Sequence, residues 1–164
     1  MSRLDSVIRR LVAQRDILNH VAAVLGVPET GAILEIGLGN GRTYSHLREL
    51  FPGRRIVAFD RALAAHKSSV PDEGDLVLGE IAETAQGFVG GAAALAHADI
   101  GTAYDEIDAA TVIWLAPLMA GVLAEGGIAV SGLPLKDARL APLPVPEGIA
   151  PDRYFLYRRV VGGG

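Results

Sequence analysis

Three glycines at alternate positions, placed directly after a short apolar run, constrain the fold of this chain more than any other feature. The run Ile33–Ile36 suits a buried strand. Gly37, Gly39 and Gly41 interrupt it, and residues 42 to about 51 continue with the pattern of a helix. Glycine lets a backbone turn tightly and lets a ligand approach without meeting a Cβ atom. Because the start of a helix directs free N–H groups and a positive dipole end outward, the stretch predicts a ligand-binding loop.

An acidic residue follows the next predicted strand, Ile56–Phe59, and is Asp60. In a parallel β–α–β unit such an acid lies at the C-terminal edge of the neighbouring strand, where it can accept hydrogen bonds from a ribose diol. A dinucleotide fingerprint would need a third glycine at the position that Arg42 occupies. The spacing therefore disfavours a nicotinamide dinucleotide without excluding it.

The pattern Glu-Ile-Gly-x-Gly-x-Gly over residues 35–41 resembles motif I of the class I S-adenosylmethionine-dependent methyltransferases. Asp60 then corresponds to the acid that follows the second strand in that family. A predicted helix that ends at Gly126-Gly127, before the apolar strand Ile128–Ser131, is similar to another feature of the family. The resemblance covers residues 30–135, and the size and layout resemble compact bacterial members of unassigned substrate.

The resemblance implies a site for S-adenosylmethionine (SAM) outside the C-terminal strand ends, where ligands of such sheets bind. The glycine loop would line the methionine part of SAM, and Asp60 would bind the ribose. Glu80 with Ile81 would meet the adenine, and an N-terminal helix residue stabilised by the helix dipole is an equal alternative for Glu80. Glu35 would orient the loop or reach the amino group through water, and a simple solvated or capped acid is an equal alternative. Asp99 would face the methionine ammonium or the substrate. The implied cofactor-binding residues are Glu35, Gly37, Leu38, Gly39, Asn40, Gly41, Arg42, Thr43, Asp60, Arg61, Glu80, Ile81 and Asp99.

Alternating strand and helix patterns predict a doubly wound α/β fold, with a mostly parallel sheet and helices on both faces. The resemblance makes this a Rossmann-like methyltransferase fold with an antiparallel strand near the end. The 164 residues suggest a single domain with an N-terminal helix (1–27), a core (30–135) and a proline-rich segment with a final strand (136–164). Helices are also predicted over 2–25, 61–67, 82–89 and 105–124, and a helix-ending turn over 124–127. The further predicted strands are an alanine-rich fourth strand over 92–99, at most one short strand among the prolines, and a final edge strand over 153–161.

Composition limits the partners of the chain. The net charge is −4 without a basic stripe, which argues against nucleic acid, because phosphate binding needs clustered Lys and Arg. The sequence has no cysteine and shows no compact His/Asp metal cluster, so no metal is expected. The start of the chain lacks an apolar signal core, and the longest uncharged run of its second half, 109–124, is too short for a membrane span and contains Pro117. We therefore expect a cytoplasmic protein.

Methyl transfer from a sulfonium needs mainly alignment and removal of a proton from the acceptor, so no dedicated catalytic residue is predicted. The signature of enzymes that methylate nucleic-acid amino groups is missing after the fourth strand, where the sequence is Asp99-Ile100-Gly101-Thr102. A small-molecule O- or N-acceptor remains by elimination. His97 shares a strand face with Asp99, and an ordinary packed histidine is expected there. The alternatives are an NAD-dependent oxidoreductase and a non-catalytic SAM-binding module. A homodimer is also expected, with the substrate pocket completed by the partner subunit or by the N-terminal helix.

Overall fold

A computed structural model describes residues 1–161 and shows one seven-stranded sheet with helices on both faces. Residues 162–164, which the sequence analysis assigns to the end of the domain, lie outside the described residues. The helices are α1 (Arg3–His20), which a π-helical turn continues over Val21–Leu25, α2 (Arg42–Leu50), α3 (Ile81–Thr84) and α4 (Asp105–Val122). The strands are β1 (Ile33–Ile36), β2 (Ile56–Asp60), β3 (Leu76–Leu78), β4 (Ala93–Ala98), β5 (Leu123–Ser131), β6 (Leu140–Leu143) and β7 (Phe155–Arg159).

The strand order is β3-β2-β1-β4-β5-β7-β6. The first five strands are parallel, and β7 is antiparallel to both β5 and β6. This confirms the predicted doubly wound fold and its antiparallel strand. The chain winds outward from β1 in one direction and from β4 in the other, so the ends of these two neighbouring strands form the switch point where ligands bind.

Strand β4 is buried at all six positions, although four of its six residues are alanine. Leu95 faces α1 and α2 together with Ile33, whereas Ala96 faces α4 together with Leu34. A strand with covered faces and two paired edges depends on its surroundings more than on its propensity. The predicted fourth strand is thus confirmed, because burial between β1 and β5 overrides the weak preference of alanine.

Several local predictions are wrong in ways that have a physical cause. In the described segment 61–67 no α-helix forms; a 3-10 turn at Lys67–Ser69 takes its place. The segment lies instead over the glycine loop, where the His66 N–H donates to the carbonyl of Asn40 at 2.9 Å. The predicted turn at 124–127 belongs to β5, because Leu123 already pairs with Ala93 before the register shifts. The helix predicted over 82–89 is α3 followed by a 3-10 turn.

The proline-rich segment contains the short strand β6 at the outer edge of the sheet. Pro142 lies within β6, and prolines are tolerated at sheet edges, where an N–H is not needed for the ladder. This agrees with the expectation of at most one short strand among the prolines. The predicted final strand is confirmed as β7.

Arginines of β7 bind backbone carbonyls where α4 passes into β5. The Arg159 Nε donates to the carbonyl of Ala120 at 2.8 Å, and the Arg158 Nη1 donates to the carbonyl of Gly126 at 2.9 Å. The last four carbonyls of a helix have no partner within the helix. The bond from Arg159 therefore satisfies a carbonyl at the end of α4, and the bond from Arg158 fastens the antiparallel strand to β5.

We expect Arg159→Met to lower the free energy of unfolding by about 1–3 kcal/mol, because the carbonyl of the buried Ala120 loses its donor. The matched control is Arg15→Met, since the pair that Arg15 forms with Asp16 is exposed and such pairs contribute about 0–1 kcal/mol. Urea denaturation of the three proteins measures both losses. Equal losses for the two variants would contradict the structural role of Arg159.

Candidate functional site

The glycine loop between β1 and α2 has a backbone that side chains would obstruct. Gly37, Gly39 and Gly41 have φ angles of 91°, 52° and 88°, a region that other residues rarely adopt. A Cβ atom on Gly37 would lie 2.5 Å from Cγ2 of Ile100, and one on Gly41 would lie 2.6 Å from Cβ of Ser69. At Gly39 a Cβ atom would meet nothing within 4 Å. The loop is therefore packed at its two ends and open at its middle.

Asp60, at the end of β2, holds the middle of this loop. Its Oδ2 accepts a hydrogen bond from the Gly39 N–H at 2.7 Å, and its Oδ1 accepts one from the Arg61 N–H at 2.7 Å. A carboxylate has about four lone-pair sites, so Asp60 can also accept hydrogen bonds from a ligand. The Arg61 guanidinium forms an exposed pair with Glu80 at 3.3 Å, and Ile81 packs half-buried against the core.

A cavity of about 200 Å³ opens beside the loop. Its walls are residues 37–43, Asp99 and three residues of α1, namely Arg10, Leu11 and Gln14. The structure thus brings the predicted loop residues and Asp99 together, and Asp60 adjoins them through its bond to the loop. Arg61, Glu80 and Ile81 lie along the sheet edge, outside these walls. The amphipathic pattern predicts α1, but no motif indicates which of its residues face the cavity.

Glu35 lies beneath the loop and does not line this cavity. Its side chain is 0% exposed, and its Oε1 is 2.7 Å from Nδ1 of the equally buried His97. The other oxygen, Oε2, is buried without a hydrogen-bond partner among residues 1–161. The interpretation of Glu35 as a solvated acid is therefore wrong, because a histidine of β4 takes the place of water. His97 is packed, as expected, but as the partner of a carboxylate.

The surroundings of His97 favour its charged form. Burial opposes the charge, but the adjacent Glu35 carboxylate, helped by Asp99, outweighs burial and raises the pKa of His97 above its ordinary value. Its Nε2 lies 3.3 Å from the hydroxyl of Tyr154, and the two rings are stacked with centroids 6.0 Å apart. Burial raises the pKa of the Tyr154 hydroxyl, which therefore stays protonated.

Polar side chains continue from Tyr154 to the cavity wall. The Tyr154 hydroxyl lies near the side chain of Gln14, and the Gln14 amide donates to Oδ2 of Asp99. We call Glu35, His97, Tyr154, Gln14 and Asp99 the polar chain. It connects the centre of the sheet with the cavity. The sequence analysis missed Gln14 and Tyr154, which carry no motif.

A second cavity, of about 410 Å³, lies on the other side of Arg10 and Asp99, which line both cavities. Its other walls come from the loop after β4, from Gly132-Leu133 after β5 and from residues 150–154. Within residues 1–161, no three His, Asp or Glu side chains converge as metal ligands, and no helix combines the length and apolar character that a membrane span requires.

Comparisons with known proteins agree with this geometry. A family model described as S-adenosyl-L-methionine methyltransferase matches residues 1–159. The crystal structure of an S-adenosyl-L-methionine methyl transferase from Silicibacter pomeroyi DSS-3 is 42% identical, with a TM-score of 0.88 over 97% of this chain and 99% of that one. The comparison with curated proteins finds no match.

More distant structures share the fold alone. TrmN from Thermus thermophilus is 16% identical, with a TM-score of 0.62 over 92% of this chain and 49% of that one. The antibiotic-resistance methyltransferase Kmr is also 16% identical, with a TM-score of 0.53 over 90% of this chain and 93% of that one.

We expect the buried pair to make stability depend on pH. Because the pKa of His97 is raised in the folded state, its contribution is complete below the unfolded value of about 6.5 and is lost as the pH rises through the folded value. The neutral double variant Glu35→Gln/His97→Gln lacks this dependence. Urea denaturation between about pH 6 and 9 measures the difference. Parallel pH profiles would show that His97 is not charged in the folded protein.

Proposed function

Because this chain belongs to the S-adenosyl-L-methionine methyltransferase family, we propose that it transfers the methyl group to an oxygen or nitrogen of a small molecule, in the cleft beside the glycine loop. Family membership decides against the oxidoreductase and against the non-catalytic module as the leading function. The observation that carries the proposal is the junction of two cavities at Arg10 and Asp99. One cavity has the loop suited to the methyl donor, and the other is free for an acceptor.

The residues around the loop fit SAM. The open backbone at Gly39 allows close approach, and Arg42 and Thr43, which begin α2, line the same cavity as the loop. Asp60 retains lone pairs for the ribose hydroxyls. Bound SAM supplies a methyl group on a positively charged sulfur, which a lone pair of the acceptor can displace.

The proposed SAM-binding residues are those of the loop together with Asp60, Arg61, Glu80, Ile81 and Asp99. Glu35 belongs to this proposal as a positioning residue that acts from beneath the loop. Its charge is held by His97, and it lies on the strand that leads into Gly37. The whole chain would act as a single SAM-binding domain, and its cytoplasmic location stays a prediction.

We expect S-adenosylhomocysteine to bind with micromolar affinity in isothermal titration calorimetry, whereas NAD does not bind. Asp60→Ala should weaken the binding of S-adenosylhomocysteine by at least about tenfold, because both the loop and the ribose lose a charged acceptor. Asp72→Ala, an exposed acid that lines neither cavity, is the control. Unchanged affinity in Asp60→Ala would remove Asp60 from the site. Absence of binding in the wild type would overturn the proposed location of the cofactor.

The proposal includes a homodimer with α1 at its interface. This helix exposes Leu4, Val7 and Ile8 by 69%, 46% and 50%, and exposed apolar side chains that lie together commonly mark contact surfaces. Sedimentation equilibrium at micromolar concentration should give a dimer, which Ile8→Glu dissociates. Ile113→Glu, on the exposed face of α4, should leave the dimer intact. A monomeric wild type would contradict the proposal.

A further inference from the structure

We propose that the methyl acceptor is a small amine that also carries an acidic group, and that it binds in the second cavity with its amine at Asp99 and its acidic group at Arg153. This rests on the proposed function, because it assumes that the methyl donor occupies the glycine-loop cavity. It goes further by naming the class of acceptor and by deciding between nitrogen and oxygen.

Asp99 is oriented toward the junction of the two cavities. Its Oδ2 is occupied by the amide of Gln14, a residue that is only 5% exposed. Its Oδ1 lies beside Gly132, where a Cβ atom would approach to 3.0 Å. Because glycine leaves this side open, one carboxylate oxygen is free for an acceptor. A carboxylate accepts hydrogen bonds only, and an ammonium group complements both its acceptors and its charge.

The same cavity holds arginines that lack acidic partners. Arg153 is half-buried in its wall, and Arg10 stands at the junction. Among residues 1–161, neither guanidinium has a carboxylate within salt-bridge distance. A guanidinium binds carboxylate or phosphate through two parallel hydrogen bonds, and this is its preferred partner. Arg153 lies outside the glycine-loop cavity, so its anion belongs to the acceptor and not to the methyl donor.

The remaining acids of the cavity leave this assignment intact. Asp108 also lines the cavity, but its two oxygens already accept hydrogen bonds from the N–H groups of Thr102 and Ala103, at 2.8 and 3.2 Å. Asp152 is exposed at the rim, next to Arg153. The cavity thus offers one carboxylate, that of Asp99, and one guanidinium, that of Arg153, to a ligand. A neutral alcohol would leave them without partners, whereas an amine with an acidic group satisfies both.

The reaction balances with these groups. The bound ammonium gives one proton to Asp99, and the lone pair that this frees on nitrogen forms the bond to the methyl carbon. The carbon–sulfur bond breaks with its electron pair on sulfur, which leaves a neutral thioether and a methylated ammonium. Asp99 then returns its proton to solvent. No oxidant or metal is required.

The test measures binding to protein saturated with S-adenosylhomocysteine, by calorimetry or ligand-observed NMR. The probes are para-(aminomethyl)benzoate and ε-aminocaproate. Each is matched by the amine without the acid, the acid without the amine, and the alcohol in place of the amine. We expect each amino acid probe to bind about tenfold or more tightly than its matched compounds, because each missing group loses a charge-assisted hydrogen bond.

Variants of Arg153 test the acidic end of the acceptor. Arg153→Gln should reduce the affinity of the amino acid probes to that of the matched amines, and Arg153→Lys should restore part of it. Both variants should keep the wild-type affinity for S-adenosylhomocysteine, which also shows that they fold. Arg3→Gln, on the same helix as Arg10 but away from both cavities, should change neither affinity.

The inference is overturned if the alcohols or the acid-free amines bind as tightly as the amino acid probes. It is also overturned if Arg153→Gln has no effect, or if no probe binds while S-adenosylhomocysteine does. Failure of S-adenosylhomocysteine to bind the wild type is a different result. It would overturn the proposed function first, and this inference with it.

Discussion

The buried pair of Glu35 and His97 is the interaction on which the centre of this molecule depends. The parallel register of β1 and β4 sets these two residues opposite each other. Removing a carboxylate from water costs several kcal/mol unless a partner of opposite charge compensates, so neither residue is tolerable there alone. β1 leads into the glycine loop and β4 leads to Asp99. The pair of Glu35 and His97 therefore also fixes how the two strand ends that form the cleft are aligned along the strand direction.

Two side chains from opposite ends of the described chain extend this buried pair toward the cleft. Tyr154 comes from the segment before β7 and Gln14 comes from α1, yet both belong to the polar chain that ends at Asp99. Directional polar contacts of this kind restrict the arrangement of side chains more strictly than apolar packing does. The cleft therefore has walls whose positions are restricted by polar contacts with the core.

The sequence predicts the features that depend on neighbouring residues. The glycine loop and Asp60 follow from spacing within one β–α–β unit, and flanking glycines indicate β4 despite its alanines. Features that depend on distant residues were missed. Gln14 meets Asp99 across 85 positions, and Tyr154 meets His97 across 57, and neither has a local signature. The error at 61–67 has the same origin, since contact with the glycine loop overrides the local preference of that segment.

Part of the wall of the second cavity comes from two regions that flank the core strands in the chain: Arg10 of α1, before β1, and residues 150–153, before the last strand. Substitutions at these positions can change shape and charge where an acceptor would sit without disturbing the loop, the Glu35–His97 pair or the sheet. Selectivity for the acceptor can therefore diverge separately from use of the methyl donor. In such a protein, substitutions in the N-terminal helix and in the segment before the last strand can change the substrate, while the sheet and the glycine loop stay the same.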